Sequence, residues 1–216
     1  AEKCNGCGKC IAHCPTNAME STVCLMSSEE IMEKVMRDEA FFGNSGGITL
    51  SGGEPLVHPQ EAVKLLKMAK EKGISTAIET CGWFDSYYIP ELVKYVDCFL
   101  WDYKDSDPNR HKENTGVFPQ TILQNLHQID GYPTQIVLRC ILIKDINMLN
   151  EHYDAIAELY HRLSHCVRVD LLPYHAYGGS KMEQLGYPDN SHREWIPDKD
   201  AIEMAAAYLK GLGVTI

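Results

Sequence analysis

Four cysteines lie within the first 14 residues of this 216-residue chain, and their spacing is the pattern with the clearest chemistry. They form a C-x2-C-x2-C-x3-C run made of Cys4, Cys7, Cys10 and Cys14. This spacing is typical of 4Fe–4S ligands, because closely spaced thiolates let the backbone wrap around one cubane. Gly6 and Gly8 would permit the tight turns between them. The run therefore predicts an iron–sulfur site, with a zinc knuckle or a group of free thiols as alternatives.

The sequence contains a single run of this type, which affects how its ligands are assigned. In two-cluster ferredoxins the fourth cysteine of such a run ligates the other cluster. We therefore expect the first three cysteines to share one cluster that lacks a fourth ligand, and Cys14 to serve a second cluster. Cys24 could substitute, although its position before a helix favours a packed thiol. Packed structural thiols are also expected at Cys81, Cys98, Cys140 and Cys166.

A paired glycine followed by a glutamate comes directly after the first predicted β-strand. In this Gly52-Gly53-Glu54 segment, the absence of side chains would let a ligand approach the backbone closely. Glu54 would then stand at the carboxyl end of a strand, where α/β folds place their sites. A carboxylate beside bare backbone carbonyls suits a ligand ammonium group. A tight turn with a solvated glutamate is the alternative.

Further polar residues follow the later predicted strands at equivalent points. They are Glu79, Thr80, Asp102, Lys104, Arg139 and His175. Asp102 and Lys104 are two residues apart, so both side chains should point to one face of the sheet. Singly, these residues are explained by an Asp102–Lys104 ion pair, a structural salt bridge at Arg139 and a loop position for His175. Together at one end of one sheet, they predict a single binding site.

The elements that would position these residues alternate between strand and helix. The predicted strands are 47–50, 75–79, 98–104, 135–143 and 167–172, with a last short strand at Val214. The predicted helices are one opened by a capping box of Ser27 and Glu30, then 59–72, 91–96, 121–129, 151–163 and 200–209. Alternating βα units predict a parallel sheet covered by helices. Five or six units suit a partial barrel, and a doubly wound sheet is the competing architecture.

The composition restricts the possible partners and compartment. The net charge of −10 and the pI of about 5.3 argue against nucleic acid and against an anionic membrane surface as partners. No apolar run approaches the roughly 20 residues of a membrane span. Nine cysteines, clustered at one end rather than spread in even number, indicate metal binding in a reducing cytoplasm. The start at Ala1, directly on a motif, suggests a longer protein that has lost its amino-terminal part.

Several motifs, in this order and spacing, resemble the glycyl-radical-enzyme activating enzymes of the radical S-adenosylmethionine superfamily. The motifs are Gly52-Gly53-Glu54-Pro55, Glu79-Thr80-Cys81-Gly82, Asp102-Tyr103-Lys104, Arg110-His111, Thr115-Gly116-Val117, Leu172-Pro173-Tyr174-His175, Gly178 and Leu185-Gly186. The cysteine run is similar to the ferredoxin-like insertion of one subgroup. The resemblance covers essentially the whole chain, and pyruvate formate-lyase activation is the best-known activity of the family.

The resemblance implies an α/β fold, a partial (β/α)6 TIM-like barrel without its first strand, preceded by a ferredoxin-like cysteine-rich segment. The implied domains are residues 1–24 and residues 25–216. In the family, a 4Fe–4S cluster and S-adenosylmethionine yield a 5′-deoxyadenosyl radical, which takes a hydrogen atom from a backbone glycine of a partner glycyl radical enzyme. The implied reductant is flavodoxin or ferredoxin, and the implied location is the cytoplasm.

The resemblance also assigns residues by position. The implied cofactor-binding set is Gly52, Gly53, Glu54, Glu79, Thr80, Asp102, Lys104, Arg139 and His175. Within it, the glycine pair and Glu54 would receive the methionine amino group. Asp102, Lys104 and His175 would act as catalytic residues that contact the cofactor or orient the substrate glycine.

One departure from the family pattern affects activity. The C-x3-C-x2-C motif that holds the catalytic cluster is absent from this sequence. We therefore expect a chain that binds the cofactor poorly and performs no radical chemistry alone. Two other functions remain open: an electron-transfer or partner-docking module, and another radical enzyme such as an activator of anaerobic ribonucleotide reductase.

Overall fold

The computed structural model describes residues 5–21, 23–43, 46–184 and 186–216, with Ser180 and Lys181 described by their backbone only. Cys4 and Leu185 therefore lie outside the described residues. Five β-strands form one sheet: β1 (Gly47–Leu50), β2 (Ser75–Thr80), β3 (Cys98–Tyr103), β4 (Gln135–Leu142) and β5 (Cys166–Pro173). All five predicted strands are confirmed within one residue of their expected ends. The short strand predicted at Val214 is not formed, although the Val169 N–H donates to the Thr215 carbonyl at 2.8 Å.

The order of the strands in the sheet decides between the two predicted architectures. Each strand pairs in parallel with the next one along the chain, in the order β1-β2-β3-β4-β5. A doubly wound sheet reverses its strand order at a switch point, so this order excludes it. The sequential parallel order is that of a barrel-type α/β fold, and it brings the carboxyl ends of all five strands to one edge.

Helices connect the strands. The α-helices are α1 (Lys9–Ala12), α2 (Ser28–Arg37), α3 (Glu39–Phe42), α4 (Pro59–Glu71), α5 (Ile89–Leu92), α6 (Pro108–Thr115), α7 (Gln120–Asp130), α8 (Asn150–Arg162), α9 (Gly178–Gln184) and α10 (Lys199–Gly211). The sequence missed the short helices α1 and α3 as well as α6 and α9, and the few apolar residues of the last two leave no helical stripe. The helix predicted over 91–96 is wrong, because the helical residues end at Leu92 and Pro90 occupies the first turn.

The capping box predicted at the start of α2 is confirmed. The Ser27 hydroxyl accepts from the Glu30 N–H at 3.1 Å, and the Glu30 carboxylate accepts from the Ser27 N–H at 2.7 Å. These reciprocal bonds satisfy two groups that a helix end otherwise leaves unpaired. Met32 of α2 is buried against α4.

The main core lies between the sheet and its helices. Phe99, Trp101 and Leu138 on the outer face of the strands are completely buried, and Leu126 of α7 and Ile156 of α8 cover them. Burial of each such side chain contributes about 1.5–3 kcal/mol of transfer free energy. Because side chains alternate along a strand, fixing these residues outward leaves the intervening residues on the inner face, where the polar strand ends open.

His152 of α8 is a buried titratable group outside the predicted site. It has no exposed surface, and its ring stacks on Tyr103 with centroids 5.8 Å apart. Its Nδ1 accepts from the Ser106 N–H at 3.2 Å, which places the ring proton on Nε2. That Nε2 has no hydrogen-bond partner among the described residues. Burial lowers the pKa of His152 to about 4, because the charged ring would be desolvated.

We predict that acid weakens the fold through His152. An unfolded histidine titrates near 6.5 and the native one near 4. The stabilisation is therefore complete above about pH 6.5 and is lost as the pH falls towards 4, by about 3 kcal/mol in total. Urea unfolding at a series of pH values measures this loss. His152→Asn keeps an acceptor for Ser106 but cannot titrate, so its profile should be flatter over this range.

The matched control for this experiment is His127→Asn, on the exposed side of α7. We expect it to keep the wild-type dependence of unfolding free energy on pH. If His152→Asn also kept the wild-type dependence, the acid sensitivity would come from other groups.

None of the helices in the described part of the chain has the length and apolar character needed to cross a membrane.

Candidate functional site

A cavity of about 910 Å³ opens at the carboxyl ends of the strands. Four of the polar residues singled out in the sequence line it: Glu79, Asp102, Arg139 and His175. Its other walls are largely apolar and include Ile141, Leu172, Pro173, Tyr174 and Met182. A large concave space with few convergent charges is the usual form of a small-molecule site.

Four side chains of alternating charge are linked at this site, and we call them the charged quartet: Glu79, Asp102, Lys104 and Arg139. Lys104 does not line the main cavity and joins the group through Asp102. Arg139 Nη1 contacts Glu79 Oε1 and lies 3.5 Å from Asp102 Oδ1. Lys104 Nζ lies 3.2 Å from Asp102 Oδ2. The exposed fractions of Asp102 and Arg139 are only 16% and 20%. Charges this poorly hydrated must compensate one another, and the quartet is neutral as a whole.

The strand register explains why the quartet assembles. Asp102 of β3 and Arg139 of β4 are direct cross-strand partners, so their side chains emerge side by side on one face. Trp101 and Tyr103 are buried on the opposite face, as the two-residue period requires. The sequence alternative of a simple Asp102–Lys104 ion pair is thus present, but as one part of a larger network.

The hydrogen bonding of the quartet is incomplete. Among the described residues, Asp102 Oδ1 and Arg139 Nη1 have no hydrogen-bond partner with acceptable geometry, although both are buried from solvent. They are close enough for charge attraction but poorly aligned for a hydrogen bond. The contacts of Arg139 with Glu79 and Asp102 therefore rest on charge attraction rather than on aligned hydrogen bonds.

The glycine-rich loop after β1 contacts the quartet through a residue that the sequence reasoning missed. The Ser51 hydroxyl donates to Glu79 Oε2 at 3.3 Å. Gly52 has a φ of 122°, a conformation that side-chain-bearing residues rarely adopt, so a glycine is required there. The sequence could have indicated Ser51 as a site residue, because it directly precedes the glycine pair.

Glu54 is turned away from the quartet and is already fully engaged. Its Oε1 accepts from the Leu56 N–H at 3.1 Å and from the Thr80 hydroxyl at 2.9 Å. Its Oε2 accepts from the Cys81 N–H at 2.8 Å. Glu54 thereby fastens the glycine-rich loop to the end of β2. Thr80 is the cross-strand partner of Trp101, so strand alternation places its side chain on the outer face of the sheet, away from Glu79.

Glu54 and Cys81 line a second cavity of about 700 Å³ beside the first, together with Trp83. Burial, and then the neighbouring Glu54 carboxylate, raise the pKa of the Cys81 thiol to about 11. Cys81 is therefore a neutral thiol. Among the other isolated cysteines Cys140 is fully buried, whereas Cys98 and Cys166 are half-buried.

His175 follows β5 and lines the main cavity. Its ring contacts the Tyr177 ring, with centroids 4.7 Å apart. Met182 of α9 and the loop residues Asn190 and Ser191 complete this wall. The sequence did not indicate these three residues, because α9 carries no periodic pattern. Ile141 was detectable, since it lies two residues after Arg139 and must share its face.

The cysteine segment has one thiol that is prepared to bind as a thiolate. Cys14 Sγ accepts from the Ala18 N–H at 3.2 Å. Hydrogen bonds from Thr16 first, and then from the backbone of Met19 and Ala18, lower the pKa of Cys14 to about 7. Cys7, Cys10 and Cys24 are exposed, so the packed position expected for Cys24 is wrong.

The described part of the chain contains no group of three or more histidine, cysteine or acidic side chains placed to hold a metal ion. Cys4 lies outside that part, so the predicted ligand run is only partly described. The backbone is compatible with tight turns, since Gly6 and Gly8 have φ values of 72° and 69°.

Replacement of Arg139 should lower the free energy of unfolding, because the negative charges of Glu79 and Asp102 would lose the cation between them. Arg139→Met leaves Glu79 and Asp102 with a single nearby cation, and we expect a loss of about 2 kcal/mol, reduced from the fully buried case by partial hydration. The shift of the urea midpoint measures it. Arg162→Met removes the exposed ion pair with Glu158 and should change stability by less than about 0.5 kcal/mol. Equal effects of the two substitutions would contradict a buried network.

Comparison with protein-family models matches residues 3–159 to the Radical SAM superfamily. A choline trimethylamine-lyase activating enzyme of Oleidesulfovibrio alaskensis is 38% identical over 162 residues, which are 73% of this chain and 52% of that protein. A pyruvate formate-lyase-activating enzyme of Clostridium pasteurianum is 30% identical, over 87% of this chain and 79% of that protein. An indoleacetate decarboxylase activating enzyme of Tractidigestivibacter scatoligenes is 34% identical, over 85% of this chain.

A solved domain of a pyruvate-formate lyase-activating enzyme from Bacteroides vulgatus shares the fold with a TM-score of 0.65. It is 24% identical and the match covers 79% of this chain and 97% of that domain. The chain spans only 52–59% of the length of several curated relatives. The family match over most of the chain, the named relatives and the sequential parallel sheet agree: this chain belongs to the radical SAM superfamily and, within it, to the activating enzymes of glycyl radical enzymes.

Proposed function

We propose that this chain is the cofactor-binding part of an oxidoreductase that uses S-adenosylmethionine and a 4Fe–4S cluster to install a glycyl radical on a partner enzyme of the pyruvate formate-lyase type. The observation that carries the proposal is the charged quartet at the open strand ends of a chain of this family. The relatives' names support the type of partner, since each is an activating enzyme for a lyase or decarboxylase.

The residues around the main cavity fit S-adenosylmethionine. Its methionine group carries both an ammonium and a carboxylate, and the cavity is lined by charges of both signs at Glu79, Asp102 and Arg139. The apolar walls suit the uncharged nucleoside portion. We propose that Glu79, Asp102, Lys104, Arg139 and His175 contact the cofactor, and that Asp102, Lys104 and His175 orient the substrate glycine.

In this proposal Glu54 and Thr80 do not touch the cofactor; they position the glycine-rich loop that does. Their mutual hydrogen bond holds Gly52 and Gly53 beside the strand ends, which leaves the backbone of the glycine pair for the methionine amino group. Bound S-adenosylmethionine supplies, in this family, the radical precursor for hydrogen abstraction. The role of this chain is to bind S-adenosylmethionine, to neutralise its charges and to exclude water with the apolar wall of the cavity.

The catalytic cluster does not fit the residues of this chain. The C-x3-C-x2-C ligand motif is absent from the sequence, and the described residues hold no group of metal ligands. We propose that the ligands of that cluster lie upstream in a longer protein. The chain alone is then inactive in radical chemistry.

We propose that residues 1–24 are a ferredoxin-like segment, that residues 25–216 are the partial barrel without its first strand, and that the protein is cytoplasmic. The hydrogen bonds to Cys14 Sγ support the segment, because N–H donors to sulfur stabilise cluster thiolates. Cys4, Cys7, Cys10 and Cys14 would be its iron ligands. Flavodoxin or ferredoxin would supply the electron.

Genomic sequence and cofactor cleavage test the proposed activity. A C-x3-C-x2-C motif should be encoded within about 100 residues upstream, the size of a domain. The protein that includes it, once reduced anaerobically, should form 5′-deoxyadenosine and a glycyl radical signal on its partner by electron paramagnetic resonance, whereas the 216-residue chain should form neither. Absence of the motif would favour the electron-transfer or docking function, and a radical on ribonucleotide reductase would change the partner.

Within that longer protein, Glu54→Gln should weaken S-adenosylmethionine binding about tenfold, because an amide donor would face donors already at Glu54. Calorimetric titration measures the affinity. Glu61→Gln, an exposed change on α4, is the matched control and should bind normally. Unchanged affinity in Glu54→Gln would contradict the proposed role of the glycine-rich loop in cofactor binding.

Anaerobic reconstitution of the 216-residue chain, followed by iron and sulfide analysis, tests the cysteine segment. We expect iron and sulfide in equal amounts, lost on Cys10→Ala and retained on Cys166→Ala, since Cys166 lies half-buried in the sheet. Stoichiometric zinc without sulfide would contradict the iron–sulfur assignment.

A further inference from the structure

Asn147 lies in the loop between β4 and α8 and has no exposed surface. Its side chain makes three hydrogen bonds, which reach the ends of two strands. Asn147 Oδ1 accepts from the Ile143 N–H at 2.8 Å, and Nδ2 donates to the Lys104 carbonyl at 3.1 Å and to the Ile141 carbonyl at 2.8 Å. The amide orientation is fixed, because one neighbour is a donor and the other two are acceptors.

These bonds lie where the backbone ladder between β3 and β4 stops. The last paired residues of the two strands are Tyr103 and Cys140. Beyond them the strands separate, and the amide of Asn147 stands between Lys104 and the end of β4 as one further rung. A backbone carbonyl buried here without this donor would cost the free energy of a lost hydrogen bond.

The segment after Lys104 is also held by hydrogen bonds that involve side chains. Both carboxylate oxygens of Asp105 accept from Arg110 at 2.6 Å, and the Ser106 N–H donates to His152 at 3.2 Å. A small cavity of about 110 Å³ adjoins Lys104, Asp105 and Asn147. The Asn147 bond to the Lys104 carbonyl holds the backbone from which the Lys104 side chain extends.

We propose that Asn147 is a positioning residue: it sets the direction in which the Lys104 ammonium projects into the charged quartet. Nothing in the sequence pattern marks Asn147, and it touches neither Asp102 nor the main cavity. Its effect is exerted through the backbone of Lys104, one residue beyond the sheet. The consequence for cofactor binding rests on the proposed function, whereas the effect on Lys104 itself does not.

The test is Asn147→Asp in the 216-residue chain. Aspartate is isosteric and still accepts from Ile143, but its second oxygen cannot donate to the carbonyls of Lys104 and Ile141. We expect the acylation rate of the Lys104 amine, followed by mass spectrometry, to rise about tenfold, the factor expected for one lost hydrogen bond. Lys199, 88% exposed, is the internal reference within each sample.

Asn125→Asp is the matched control. It removes two side-chain hydrogen bonds to buried backbone carbonyls, as Asn147→Asp does, but at carbonyls far from Lys104 in the sequence. Asn125 is 1% exposed, and its Nδ2 donates to the carbonyls of Gly82 and Phe84 at 3.0 and 2.9 Å. It should leave the reactivity of Lys104 unchanged. An equal rise in both variants, or no rise in Asn147→Asp, would overturn the proposal and leave Asn147 a structural residue only.

A measurement on the unmodified chain covers the case in which Asn147→Asp does not fold. The Ile143 N–H lies past the end of β4, yet it should exchange with deuterium as slowly as amides within the ladder, because Asn147 accepts its proton. Rapid exchange at Ile143 would overturn the proposed rung.

Cofactor titration of the longer protein separates this proposal from the function. Asn147→Asp should lower S-adenosylmethionine affinity more than Asn125→Asp does, and equal losses would overturn the positioning role. If the unsubstituted protein did not bind the cofactor, the proposed function would fail, and the Lys104 reactivity would still decide the role of Asn147.

Discussion

The site depends on mutual compensation among charges that are held in a poorly hydrated place. Arg139 lies between two carboxylates, and Lys104 contacts one of them. Asp102 and Arg139 are the two least exposed of the four, and each would carry a desolvation penalty there without an oppositely charged neighbour. The arrangement is preorganised, because the partners of a charged ligand are already in place before it arrives.

The sheet supplies this arrangement without any special local conformation. In a parallel ladder, directly opposed residues have adjacent side chains, so the register that pairs Asp102 with Arg139 also pairs their charges. The register is in turn fixed by the outer face, where Trp101 and Leu138 are completely buried. A shift by one residue would bury charges and expose the core, at a cost far above the stability of a domain.

The strand ends need further bonds, because hydrogen bonding in the ladder ceases just where the site begins. Glu54 bonds across to the end of β2, and Asn147 bonds across from β4 to the residue after β3. Both are polar side chains that replace missing backbone partners. Such residues keep a binding edge rigid while leaving its inner surface open to a ligand.

The sequence by itself determined the alternation of strands and helices, the parallel sheet and the inward direction of Asp102, Lys104 and Arg139. These features follow from periodicity, which is a local property of the chain. The tertiary structure alone decided that Glu54 and Thr80 bond to each other rather than face the quartet, that α9 forms a wall, and that Asn147 reaches Lys104. Those outcomes depend on which donors and acceptors meet through space, across separations of 26 and 43 residues for the Glu54 and Asn147 bonds. The spacing of residues along the chain does not predict these contacts, because the paths of the loops between fixed elements are set by packing.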